Sequence, residues 1–522
     1  EPDERTRLLA PRPPREDGYL DPDDPAVSPY NLWTVRFLRY VTTLFLAFSF
    51  VWWVLLLVTV FVTPPGMHTR GSGFTDFAYT CLTCGNLLVL LLFFAAPSRA
   101  MRVLAAVIAF FLLVDTIVIL AVGRLRDEEG AVGIASVVWC TLMAVWVVIV
   151  DRAVAWGKRE EEERLTGRPE TRRSLREWLA VLVATVIQVV YIVIVVLMTA
   201  TMILRARDAS LGPPGERYYV DGGKYAVHLH CVGNLTSTGA SLSLSASSSP
   251  SDNDIVAQAE YNPTVLISSD RSPAEHTLSP FILSAFANGT IPRYCIYDRA
   301  GYAWSDTAPS PHSAGMSADA LAEALALAGE PGPWVVAGAG YGAVHARIFA
   351  ARNLKRVAGM LLLDPLHEDL LGSRVGRASD GFVTWGWGIV SPLGLERLGG
   401  ALFKGRSRED RVYGRSAGQN GRLIRAHLQE NLVADSLTKS EVRSARNIQD
   451  ASTPLAVVSS GVEVGRSDEW AAKQEDLTTL TDHLVAWDVV TKAPHEVWST
   501  KDGRDVIEKR MGELVKLARK AK

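Results

Sequence analysis

The 522-residue chain has no surplus of charge of either sign and little cysteine: 54 Lys and Arg stand against 56 Asp and Glu, with five Cys in all. So even a balance removes the global field that would draw in nucleic acid or another strongly charged partner. Cys81, Cys84 and Cys140 lie inside apolar runs, which leaves Cys231 and Cys295 as an even pair outside them. The Cys81-x-x-Cys84 spacing has no His or further Cys near it. It therefore lacks the ligands of a zinc site and reads as small-residue helix packing. No metal or other cofactor is expected. No short cleavable leader is expected: the first apolar run starts near residue 37 and is too long for one, so it is expected to act as a signal anchor.

Lys and Arg are absent from five apolar runs, Val41–Val62, Phe77–Ala96, Val103–Val122, Val132–Val150 and Trp178–Leu204. The first four are about the 20 residues that a helix needs to cross roughly 30 Å of hydrocarbon, and the last is long enough to span with some tilt. The second is the most polar, diluted by Thr80, Cys81, Thr83, Cys84, Gly85 and Asn86. Basic residues concentrate in the N-terminal tail, around Arg99 and Arg102, and in the segment 152–176, so these are expected in the cytosol. An odd number of crossings then puts everything after residue 205 on the lumenal side. Two glycan acceptor sequons, at Asn234 and Asn288, fall in that half. The tail 1–36 is proline-rich and charged and is expected to be disordered. Within it, Glu4, Leu8 and Leu9 resemble the acidic dileucine signal that adaptor coats read, which implies a vacuolar or lysosomal membrane. Mitochondrial and plasma membranes are the rival addresses. Asp115, in the middle of the third run, is an expensive group at that depth. Hydrogen bonding to Gln188 or Asn86 is its bland explanation, and an ion pathway the sharper one.

Beyond residue 205 the pattern changes. A linker, 206–216, leads to "RYYVDGGKYAVHLHC", which alternates around the hairpin signal Asp221-Gly222-Gly223. A serine-dense insertion occupies 234–260, and short β-rich runs then alternate with helical patterns, "PTVLISS", "RYCIYD", "PWVVAG", "VAGMLLLD", "TPLAVVSS" and "HLVAWDVV". That alternation predicts a mostly parallel sheet, interrupted by a helical cap at about 369–450. Four segments, "YDRAGYAWSD", "VVAGAGYGAVHARIFAAR", "LLLDPLHED" and "KAPHEVW", occur in an order that resembles the α/β-hydrolase superfamily. The similarity covers residues 217–522. The chain as a whole is similar to uncharacterised fungal integral membrane proteins. The expected architecture is therefore a five-span helical membrane domain, 37–205, fused to a hydrolase fold.

The resemblance implies a catalytic triad, and the sequence departs from it. In the family, a serine on a strained turn attacks, a histidine takes its proton, and a carboxylate orients the histidine. His495 falls at the histidine position and Asp364 at the carboxylate position, with Glu463 and Asp468 as weaker alternatives, but Gly340 replaces the nucleophile. The loop that normally brings a glycine N–H to the oxyanion reads Ser269-Asp270-Arg271-Ser272, and a negative side chain there opposes an oxyanion. The family's strand order would make Cys231 and Cys295 neighbours, as a bridge or as two buried thiols. A non-catalytic binding or scaffolding role is therefore expected, with membrane lipids as surroundings and a lipid or peptide as ligand under the cap, where Trp385, Trp387 and Leu393 could line an apolar cavity, touch the membrane or be ordinary core. The alternatives are ester hydrolysis by water activated through His495 and Asp364, and transport through Asp115.

Overall fold

The computed structural model describes residues 32–94, 97–166, 175–236 and 261–520. The tail with Glu4, Leu8 and Leu9 and nearly all of the serine-dense insertion lie outside these residues. Among the described residues, five helices are long and apolar enough to cross a membrane: α1 (Trp33–Phe61), α2 (Phe74–Leu92), α3 (Arg99–Ala121), α4 (Gly123–Thr166) and α5 (Leu175–Asp208). The first starts at Trp33, inside what the sequence assigns to the tail. Gly130 breaks α4 with φ 60°, ψ −164°, a conformation that glycine adopts without penalty.

The chain divides into two compact units. One holds the bodies of the five helices, residues 1–55, 77–117 and 135–199. Within it α1 and α4 run antiparallel, locked by three tryptophan bonds: Trp146 Nε1 donates to Thr42 Oγ1 at 3.1 Å, Trp139 Nε1 to Ser49 Oγ at 2.9 Å, and Trp52 Nε1 to Ser136 Oγ at 3.0 Å. Each step forward on one helix is matched by an equal step back on the other. Thr42, Ser49 and Ser136 are buried, so these hydroxyls satisfy half-buried indoles where lipid offers no alternative partner. Large apolar residues such as Leu44, Phe48, Val51, Phe110 and Val186 point outward.

Asp115 accepts a hydrogen bond from Tyr79 Oη at 3.1 Å. The expected bond to Gln188 or Asn86 is not made; those two amides bond to each other, Gln188 Nε2 to Asn86 Oδ1 at 3.2 Å. Tyr79 wins because its phenol reaches the carboxylate while the two amides satisfy one another. Cys81 and Cys84 are free thiols, and Cys81 Sγ accepts from Trp53 Nε1 at 3.1 Å.

The second unit is larger than the hydrolase-like segment. It joins residues 56–76, 118–134 and 200–522, so the division does not fall at 206–216 as the composition shift suggests. One end of each of the five helices belongs to this unit together with the sheet. Its eight strands are β1 (Glu216–Val220), β2 (Tyr225–Gly233), β3 (Thr264–Ser268), β4 (Arg293–Asp298), β5 (Trp334–Ala339), β6 (Val357–Leu363), β7 (Leu455–Ser460) and β8 (Leu484–Val490), in spatial order β1-β2-β4-β3-β5-β6-β7-β8. The β1–β2 hairpin turns through Asp221, Gly222 and Gly223, all at positive φ. Strand β2 is antiparallel to β4, and the strands from β3 to β8 are parallel. This is the doubly covered, mostly parallel sheet of an α/β-hydrolase fold. Strands such as Leu455–Ser460 are buried along their whole length, as expected with helices on both faces. Cys231 and Cys295 are directly opposed in the β2–β4 register and are bridged. Helices between β6 and β7 form the cap, among them Ala378–Val390, Leu395–Phe403 and Gly421–Val433.

Candidate functional site

Strand β5 ends at Ala339 and helix Gly342–Arg352 begins three residues later, so Gly340 sits at the tip of a sharp turn with φ +52°. The turn has the elbow shape, with a glycine at its tip. Each of its glycines has a different reason. A Cβ on Gly342 would run into the carbonyls of Ser269 and Ser268, and one on Gly338 would strike the backbone of Ala343. A Cβ on Gly340 would collide with the carboxylate of Asp270. The space beside the tip of the turn, where a side chain on residue 340 would stand, is thus occupied by a carboxylate from the loop after β3.

Asp270 Oδ1 accepts from the backbone N–H of Tyr341 at 2.7 Å. That N–H follows the nucleophile position, so it is the donor that would stabilise an oxyanion. Asp270 Oδ2 lies 3.5 Å from His495 Nε2, and His495 Nδ1 is 2.6 Å from Asp364 Oδ2. The imidazole therefore sits between two carboxylates. Asp364, fully buried and at φ +40°, also receives the Ser460 N–H at 3.0 Å and the Trp470 indole at 3.2 Å. Of the sequence-derived candidates, the structure brings Asp364, His495 and Gly340 together. Glu463 instead pairs with Arg466 at 3.1 Å, and Asp468 opens the helix Asp468–Leu477.

Charge in this cluster is settled internally. Burial alone would lower the His495 pKa, but the hydrogen bonds and charges of Asp270 and Asp364 raise it to about 10. Burial would raise that of Asp270, yet His495 and the backbone N–H groups of Tyr341 and Arg271 hold it below the usual carboxylate value. At neutral pH His495 is therefore held as an imidazolium beside the Asp270 carboxylate. An imidazolium has no lone pair at Nε2 and cannot act as a general base.

Arg299, just after β4, fixes the plug in place. Its guanidinium donates to the carbonyls of Ser269 at 2.5 Å and Asp270 at 2.8 Å, to Tyr302 Oη at 2.7 Å, and pairs with Glu430 of the cap at 3.1 Å. The side chains of Arg299 and Glu430 are almost wholly buried. Between Arg299, His345, Tyr341 and Glu430 remains a cavity of about 10 Å³, room for about one water. Sequence reasoning flagged Asp270 as hostile to an oxyanion but missed that it fills the space beside Gly340, and it missed Glu430 altogether. The readable signal was the conjunction of a glycine at the elbow with an acid in the oxyanion loop.

The three cap residues singled out in the sequence have different surroundings. Trp385 packs with Val60, Phe74, Ile424 and Leu428, Trp387 is exposed, and the Leu393 carbonyl accepts from Thr201 Oγ1 at 3.1 Å. Helix ends at 56–76 and 200–208 supply part of these contacts, through Val60, Phe74 and Thr201. Asn234 and Asn288 are exposed, and Asn288 Nδ2 donates to Glu508 at 3.0 Å.

Residues 4–231 match the model of a region of unknown function, DUF2417. An uncharacterised protein of Schizosaccharomyces pombe is 30% identical over 508 residues, covering 94% of this chain and 92% of that protein. The chain belongs to that protein's family. An uncharacterised vacuolar membrane protein of Saccharomyces cerevisiae is 25% identical over 403 residues, 67% of this chain and 60% of the relative. Among solved structures, an enol-lactonase of Burkholderia xenovorans aligns at 14% identity and TM-score 0.38, over 58% of this chain and 100% of its own. A carboxylesterase of Nitrososphaera gargenis aligns at 9% identity and TM-score 0.36, over 58% and 99%. Within the family, the hydrolase fold rests on the strand order and register given above.

Proposed function

We propose that this protein anchors a non-catalytic hydrolase-fold domain to the vacuolar membrane, facing the lumen, where the domain recognises or scaffolds rather than cleaves. One observation carries the reading: the Asp270 carboxylate stands where the nucleophile and the oxyanion would both have to be. A covalent acyl intermediate has no oxygen to form on, and Tyr341 N–H is already spent on an anion. The alternative of water activated by His495 meets a protonated imidazole. Asp115, bonded to Tyr79, reads as an acid that ties helices together rather than as part of an ion path. The vacuolar address is supported by the budding-yeast relative, and the lumenal orientation by the basic residues of the tail and of 152–176 and by the exposed sequons.

The decisive experiment is turnover of a panel of lipid and short-chain esters by full-length protein in detergent. No multiple-turnover cleavage is expected. Cleavage that disappears in His495→Ala would overturn the reading. Digestion with a glycosidase tests the orientation separately: Asn234 and Asn288 should carry glycans removable only after the membrane is opened.

A further inference from the structure

A second cluster of charges, away from the elbow, is built differently. Where the ends of α4 and α5 meet the cap, a cavity of about 60 Å³ is lined by Arg124, Arg205, Arg397, Arg411 and Arg422, together with Trp304. That is several times the roughly 10–15 Å³ that one water needs. Four carboxylates serve these cations. Asp208 takes Arg411 at 2.5 Å and Arg397 at 2.9 Å; Glu128 takes Arg124 and Arg205, each at 3.0 Å, and Arg422 at 3.4 Å. Glu129 takes Arg205 at 2.8 Å, and Asp306 takes Arg217 at 2.5 Å and Arg124 at 3.5 Å. Counting Arg217, six guanidinium groups share four carboxylates in these ion pairs, and with Asp76 also facing Arg205 the cations remain in excess.

Such a surplus is costly in a buried place, because a guanidinium taken out of water needs a counter-charge. The side chains of Arg397 and Arg411 are 6% exposed. Burial pulls the Arg397 pKa down to about 10 even with Asp208 beside it, the mark of a cation short of negative charge. Two donors on the lining also lack an acceptor among the described residues: Arg397 Nε and Trp304 Nε1, on side chains more than nine-tenths buried. What is missing is a compact dianion that accepts several hydrogen bonds. Phosphate has that charge and three or more acceptor oxygens, and arginine forks match its geometry.

We propose that this arginine-lined cavity is a binding site for a phosphate group, supplied either by the headgroup of a phosphomonoester lipid or by free phosphate. It is independent of the elbow and of whether the hydrolase-like site turns over. The phosphate completes the charge balance of the cavity, and Arg397 and Trp304 donate to it from the cap and from the loop after β4. The five lining arginines come from α4, α5 and the cap, so occupancy ties those elements together.

The test uses full-length protein in nanodiscs and follows thermal unfolding and direct binding. Sodium phosphate is compared with sodium chloride at equal ionic strength, and phosphatidylcholine discs with discs carrying phosphatidic acid. Stabilisation by phosphate and by phosphatidic acid is expected, with affinity falling at least tenfold in Arg397→Gln and about threefold in Trp304→Phe, which keeps an aromatic ring and removes the N–H. A response to phosphatidic acid alone assigns the headgroup as the source; a response to phosphate alone assigns the free ion. If neither stabilises the wild type beyond the chloride control, or if both variants respond like the wild type, the proposal fails. Trp304→Phe keeps the test valid should Arg397→Gln unfold.

Discussion

The elbow and the arginine cavity are both buried charge clusters in one unit, yet they are finished in opposite ways. At the elbow, one cation lies between two acids, the spare carboxylate oxygen takes Tyr341 N–H, and Arg299 holds the backbone of the plug. In the cavity, cations outnumber anions, and two buried donors lack an acceptor among the described residues. Arg299 Nε beside the elbow also lacks an acceptor among the described residues, so the contrast lies in charge: the elbow holds its cation between acids, whereas the cavity has cations left over. Fold family would direct attention to the first. Charge balance directs it to the second.

The contrast should be plainest in stability. Arg299→Met removes the nearer cation from Glu430, at 3.1 Å against 3.6 Å for Arg271, while the carboxylate stays buried. Unfolding should become easier by about 3–5 kcal/mol, as for other broken buried pairs. Arg397→Gln takes one cation from a cluster that has too many, and its cost should be nearer 1 kcal/mol, the value of a single lost hydrogen bond. Equal costs would erase the distinction between a closed and an open site. Denaturant or thermal unfolding in the absence of phosphate measures both.

Next in size is an attempt to reopen the elbow. Asp270→Gly together with Gly340→Ser clears the plug and returns an oxygen to the tip, next to a His495 already oriented by Asp364 at 2.6 Å. The double variant should gain labelling by a fluorophosphonate probe, and its ester turnover should exceed that of Gly340→Ser alone by on the order of a hundredfold, what one freed oxyanion donor contributes. If Gly340→Ser alone is as active, Asp270 is not the obstruction.

The architecture was legible and its junctions were not. Five runs without Lys or Arg, and strands broken by turns such as Asp221-Gly222-Gly223, specify membrane helices and a parallel sheet through length and periodicity alone. Asp364 and His495 were legible because segment order carried them. Asp270 could be read as a misplaced charge, but its reach to Gly340 depends on how Arg299 fixes the carbonyls of 269 and 270, a contact between segments far apart in sequence. The cavity was invisible for the same reason: Arg205, Asp208, Arg397 and Arg422 look like ordinary polar residues until the cap is folded onto the helix ends. Which of the open readings holds for Trp385 and Leu393 was not legible either, since several of their partners lie before residue 205.

Protonation sharpens the comparison further. His495 is held at about 10 against a usual 6.5. A raised folded-state pKa means that its stabilising contribution is fully present below about 6.5 and is lost as pH rises through about 10. Asp270, held below its usual 3.8, contributes above that value and is lost as pH falls through its folded-state pKa. Both contributions are complete between roughly pH 4 and 6.5. Asp270→Asn removes one of the two acids, so the His495 titration followed by histidine-selective NMR should move down toward 6.5, and the alkaline loss of stability should move with it. An unmoved titration would mean that Asp364 alone sets the charge and that the plug is not electrostatic.

The smallest effect lies in the helical unit, at a bond between two uncharged side chains. Trp139 Nε1 and Ser49 Oγ close on each other at 2.9 Å, one rung of the ladder between α1 and α4. Ser49→Ala leaves an indole N–H unpaired in an apolar surrounding, yet interhelical bonds in membranes average only about 0.6 kcal/mol, because the separated helices also find partners. The expected loss is therefore several-fold smaller than for Arg299→Met, measurable by unfolding in mixed micelles. A loss as large as that of a buried ion pair would mean that the helix register depends on single rungs; a small one means that the three rungs share it, and that charge is what makes the closed elbow and the open cavity so sensitive to one residue.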